Sequence, residues 1–219
     1  ITDTDLTRWQ HSNPIGYANW FYARMGSLFE EAKRLFAQSA GQNVEEVPSW
    51  HVRTPLQRAV QLLKRHRDLR FSPDAEDRPT SIIITTLAAH AYRQQRDLYS
   101  ALLHLSQYMP SYIENRQGSW WIANPAHPGE NFADKWNEIP SRKDAFLAWL
   151  GTVQADLAGA VALKNDFFSG AFIRDRFGMG SKPDSLKALL QVPPLADTSH
   201  LNAPKWPERP VYQCKVRGW

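Results

Sequence analysis

Arg78-Pro79-Thr80-Ser81-Ile82-Ile83-Ile84-Thr85-Thr86-Leu87-Ala88-Ala89-His90-Ala91-Tyr92 admits two readings. Its isoleucines and threonines have the β-branched stiffness that favours a strand. Yet Ile83, Ile84, Leu87, Ala88, Ala91 and Tyr92 also recur at the spacing of one buried helix face. We read a helix, and with it a chain that is predominantly α, because the segments on either side carry helical periodicity as well.

Upstream, Asn13 is a suitable N-cap and Pro14 suits a first helical position. Phe21, Met25, Leu28, Ala32, Leu35 and Phe36 then keep helical spacing, so one helix is predicted over 14–38, ended by Gly41. Thr54-Pro55 opens a second helix through Asp68, with Leu56, Ala59, Val60 and Leu63 on one face. Downstream, helices are predicted over 97–109 and 141–164, with short ones over 131–137 and 184–191. Residues 1–192 thus form a helical domain. From Pro193 the text changes: five prolines within 193–210 make a linker, and "VYQCKVRGW" (211–219) alternates like a strand, the start of a truncated β domain.

The whole chain sets limits. Its 219 residues, 42% of them hydrophobic, can bury a sizeable core. A net charge of +4 spread along the chain does not by itself imply a nucleic-acid partner. The single cysteine, Cys214, excludes an internal disulfide and fits the cytoplasm. There is no apolar run of the roughly 20 residues that span a bilayer, so no membrane is implied. The first residue is Ile1, which we read as the start of an excerpt or a processed product.

Self-contained catalytic signatures are missing. Asp3 and Asp5 make a D-x-D, but a metal-holding pair of this kind needs a Gly-Ser phosphate loop ahead of it, and only two residues precede Asp3. The seven histidines show no zinc spacing, and His90 reads as a satisfied core residue. No catalytic or metal-ligating residue is assigned.

The basic helix is more informative. At about 100° per residue, Arg58 and Arg65 project away from the Leu56/Leu63 stripe, Lys64 lies on its rim and Arg67 falls within its arc. A rim lysine either snorkels, with its stem packed and its ammonium in water, or aims its charge into a phosphate-binding cleft. Spacing leaves both open.

Four segments, "SNPIGYANWF", "PLQRAVQLLKRHRD", "RPTSIIITTLAAHAY" and "NPAHPGENFADKW", occur in this order over residues 12–156. Together they resemble the C-terminal helical half of bacterial cGAS/DncV-like nucleotidyltransferases, the cyclic-oligonucleotide synthases of CBASS anti-phage defence, which are related to 2′-5′-oligoadenylate synthetases. The last segment is similar to the D-P-A-D-P-T-x-N pattern of the latter, with Asn124 and His127 standing where that pattern has aspartates.

The resemblance implies a helical bundle and a nucleotide-cradling role. By residue match, Lys64 and Ser81 would bind the triphosphate of an incoming nucleotide, with Arg67 and Asn124 as cleft contacts. It also implies that NTPs and Mg²⁺ belong to the complete enzyme, whose metal-binding aspartates lie on an N-terminal catalytic core outside this chain, so that the segment alone holds neither and is inactive. The tail over 204–219 resembles the entry to a C-terminal sensor domain. The alternative is a non-catalytic helical module that binds a protein partner or a nucleotide. Pro125 and Pro128 make the "NPAHPGEN" stretch a stiff loop at the cleft edge, anchored by Trp120, Trp121 and Ile122 and followed by a helix that Asn131 caps.

Overall fold

Asn13 opens the first helix in the computed structural model, which describes residues 13–48, 51–71 and 75–162. Its side chain accepts the Gly16 N–H at 2.9 Å and Pro14 takes the first helical position of α1 (Pro14–Met25), both as predicted. The single helix expected over 14–38 is two. Gly26 adopts φ 52° and ψ −137°, a conformation open to glycine and hostile to L side chains, and the chain turns there into α2 (Ser27–Ala40). Helical periodicity runs straight through that glycine, which is why the sequence reading missed the break. Gln94 braces it by donating its side-chain N–H to the Arg24 carbonyl at 2.6 Å.

α3 (Pro55–Arg70) starts in a full capping box. Thr54 Oγ1 accepts from the Gln57 N–H, and Gln57 Oε1 accepts from the Thr54 N–H. This helix is the axis of the bundle: α4 (Ser81–Ala91), α5 (Leu98–Tyr108) and α7 (Ser141–Ala162) all pack on it. Being wrapped on several sides, α3 buries Leu56, Ala59, Leu62 and Leu63 and also Arg58, which the helical wheel had sent to solvent. Burial lowers the pKa of Arg58, and nearby Arg53 adds to the effect.

The decisive segment is helical. α4 runs from Ser81, with Ile83, Ile84, Leu87, Ala88 and Ala91 in the core, so the β-branched residues serve as packing volume. Asp97 caps α5 by accepting the Ser100 N–H at 2.8 Å. A 3-10 turn over Met109–Tyr112 follows.

Two small antiparallel hairpins follow, the second of them where a stiff loop was expected. β1 (Glu114–Arg116) pairs with β2 (Ser119–Trp121) across Gln117 and Gly118, both at positive φ. β3 (Ala123–Asn124) pairs with β4 (His127–Asn131) around Pro125 and Ala126. The short helix that follows, α6 (Asp134–Glu138), begins three residues later than predicted and has no side-chain cap. Asn131 instead splices the hairpins: its Oδ1 accepts from the N–H groups of Ile122 and Ala133, and its Nδ2 donates to the Trp120 carbonyl. Ile122, 2% exposed, anchors the hairpins; the half-buried tryptophans carry cations on their faces, Arg116 over Trp121 and Lys143 over Trp120.

No helix among the described residues is long and apolar enough to cross a membrane. Asp3, Asp5, the helix predicted over 184–191, the proline-rich linker and the terminal strand lie outside the described residues.

Candidate functional site

Two of the predicted site residues meet where the last turns of α3 approach the first turn of α4. Arg67, 8% exposed, joins them: its Nη1 donates to the Pro79 carbonyl at 3.0 Å and to Ser81 Oγ at 2.9 Å. The other edge of the guanidinium faces Asp68, whose Oδ1 accepts from Nε at 3.0 Å and from Nη2 at 2.6 Å. Lys64 lies three residues earlier on α3, hence on the same face as Arg67.

Lys64 is half-buried and makes no hydrogen bond or ion pair among the described residues. Burial lowers its pKa, the charge of Arg67 lowers it further and Asp68 opposes them. Ser81 is exposed at the first position of α4. Thr80, the N-cap, forms no side-chain cap bond, so it does not occupy the free N–H groups of that first turn. An ammonium, a hydroxyl and a helix N-terminus are each groups suited to an anion.

Asn124 stands apart from these groups. It is buried, its Nδ2 donates to Glu130 Oε2 at 2.6 Å and its Oδ1 accepts the Ala126 N–H at 2.9 Å, so both ends of the amide are used within the β3–β4 hairpin. That is the scaffold role the sequence suggested for the loop. His90 is half-buried between the rings of Trp20, at 5.0 Å, and Tyr112, at 5.7 Å, and burial lowers its pKa.

A cleft of about 230 Å³ opens beside the start of α4, walled by Thr80, Ile82 and Ile83 and, opposite, by Phe132, Trp136 and Arg142. Arg78 and Lys135 add further positive charge, with Glu130, Asp77 and Asp134 interspersed. Sequence reasoning missed these residues, since hairpin and α7 positions converge on α4 only through the fold. Among the described residues, no three His, Cys, Asp or Glu side chains are grouped to hold a metal ion.

No protein-family profile matches the chain. It is 32% identical over 157 residues to the c-di-GMP synthase of Roseivirga ehrenbergii, covering 70% of this chain and 40% of that protein. The chain is also 27% identical over 214 residues to the cyclic dinucleotide synthase CdnG of Bradyrhizobium diazoefficiens, covering 87% of this chain and 49% of the relative. The solved structure of that CD-NTase in complex with GTP superposes with a TM-score of 0.56 at 22% identity, over 83% of this chain and 55% of the other, and shows a shared mainly-α fold. These findings support a bacterial cGAS/DncV-like nucleotidyltransferase. The chain spans less than half the length of the curated relatives it matches.

Proposed function

We propose that this chain is the nucleotide-cradling helical part of an enzyme that joins NTPs into a cyclic dinucleotide second messenger. The supporting observation is Lys64, a half-buried cation free of ion pairs among the described residues, set one helical turn from the guanidinium that reaches Ser81. The names of its relatives point to GTP as a substrate. NTPs and anti-phage signalling both suit a cytoplasmic protein.

In the reaction, a ribose hydroxyl of one nucleotide attacks the α-phosphorus of another. The new O–P bond forms as the α–β bridging bond breaks, and pyrophosphate leaves with the electron pair. Lys64 and Ser81 would hold the β- and γ-phosphates, fixing the α-phosphorus for in-line attack and offsetting charge that builds on the leaving pyrophosphate. Mg²⁺ and the group that takes the hydroxyl proton are assigned to no described residue. The N-terminal catalytic core and a C-terminal sensor domain are expected partners of this segment.

GTP titration of the intact protein tests the reading. Lys64→Ala removes a charge-assisted contact of about 1.5–3 kcal/mol and should weaken binding or kcat/KM roughly ten- to a hundredfold. Arg65→Ala, which removes an exposed cation from the adjacent position, should change little. Equal losses in both would point to diffuse charge, and no loss in either to a snorkelling lysine in a helical interaction module.

A further inference from the structure

We propose that Arg67 is a positioning residue: it commits the Ser81 hydroxyl to donate a hydrogen bond outward, toward an anion, and does not itself bind the nucleotide. This rests on the reading of Lys64 and Ser81 as the phosphate grip.

A guanidinium has five N–H donors in a rigid fork and no acceptor. Four of those of Arg67 are committed, to the Pro79 carbonyl, Ser81 Oγ and, twice, Asp68 Oδ1. The side chain is buried, so no edge of the fork is left for a bidentate phosphate contact unless these bonds break. Asp68 also balances the charge of Arg67, leaving the ammonium of Lys64 as the cation of the grip.

The consequence for Ser81 follows from valence. A hydroxyl has one proton and two lone pairs and normally rotates to serve either role. Because the guanidinium can only donate, Ser81 Oγ must accept from it, and the serine proton is turned to another partner. Ser81 is exposed, so that partner can be a ligand. The first-turn N–H groups of α4 can only donate, and so can Lys64, one helical turn before Arg67 on α3. The serine proton, the first-turn N–H groups and the Lys64 ammonium are all donors, which suits a polyphosphate. The same guanidinium, through Pro79, ties the entry of α4 to α3 and so fixes the spacing between Ser81 and Lys64.

A double-mutant cycle in the intact protein, read as GTP affinity by calorimetry at a temperature where all variants are folded, tests the coupling. Ser81→Ala should weaken GTP about tenfold, the loss of one hydrogen bond to a charged group. Arg67→Lys keeps the charge but not the fork, and should cost about the same. The double variant should be no weaker than the weaker single variant by more than about twofold. Multiplying losses, or full affinity in Arg67→Lys beside a weakened Ser81→Ala, would overturn the proposal. If Arg67→Lys does not fold, Ser81→Asn decides: its carbonyl can accept from Arg67 while its N–H₂ faces outward, so it should bind GTP within about threefold of the parent. An affinity as low as that of Ser81→Ala would overturn the inference. Lys64→Ala separates the two levels, because a normal GTP affinity in that variant removes the phosphate grip itself, whereas a weakened one beside multiplying losses removes only the role of Arg67.

Discussion

Lys64 has neighbours that act on its charge in opposite directions. Burial and Arg67 push its pKa below the usual 10.5, and Asp68 pulls upward with less effect. In the window between the folded pKa and 10.5, the unfolded chain binds more protons than the folded one, so this group makes stability rise with pH there. Ligand binding has the opposite sign. In the proposed grip a triphosphate needs the ammonium, so GTP affinity should fall as pH rises through that alkaline window, earlier than an ordinary lysine would dictate. The quantity to measure is the difference between the parent protein and Lys64→Ala, in which the titration of GTP itself cancels. Parallel pH profiles for the two would show that the ammonium is not part of the grip.

At the scale of elements, the break between α1 and α2 depends on one residue. At φ 52° and ψ −137°, Gly26 occupies a conformation that costs an L side chain about 1–3 kcal/mol. An added Cβ would also lie 3.3 Å from Gln94 Nε2, which holds the Arg24 carbonyl. Gly26→Ala should therefore lower stability by about that amount in chemical denaturation, whereas Gly41→Ala, where a Cβ meets nothing within 4 Å and φ is 63°, should cost less, about 1 kcal/mol. Equal costs would mean that the α1–α2 corner is relaxed. The contrast also shows what was legible beforehand. Caps and apolar spacing, as at Asn13, Thr54 and Asp97, act within a few residues, and the helices they open were found with their starts nearly right. The hairpins were not found. Their strands are two to five residues long, too short for alternation to register, and their register is set by side chains such as Asn131 whose partners are separated along the chain. Lys64 and Ser81 were named through resemblance, while the Arg67 bridge between them needs the fold, since 14 residues separate Arg67 from Ser81.

Across the whole molecule, one buried polar chain ties the last described helix to the bundle axis. Trp149 on α7 donates its indole N–H to Nδ1 of His66 on α3 at 2.9 Å, and His66 Nε2 meets Asp156 Oδ2 at 3.0 Å. Accepting the indole proton at Nδ1 places the imidazole proton of the neutral ring on Nε2, where it donates to the carboxylate. His66 thus links residues 83 and 90 positions away, and it sits on the helix that carries Lys64 and Arg67. Trp149→Phe keeps most of the apolar volume and takes the donor away from a buried ring nitrogen, a loss of about 1–3 kcal/mol. Leu147→Ala, on the same helix but 39% exposed, should stay within about 0.5 kcal/mol of the parent. Because α7 packs on both α3 and α5, the Trp149→Phe loss should appear as a lower denaturant midpoint at unchanged m-value, with a single transition. A second transition, or a smaller m-value, would mean that α7 melts on its own and that the buried chain does not hold it to α3.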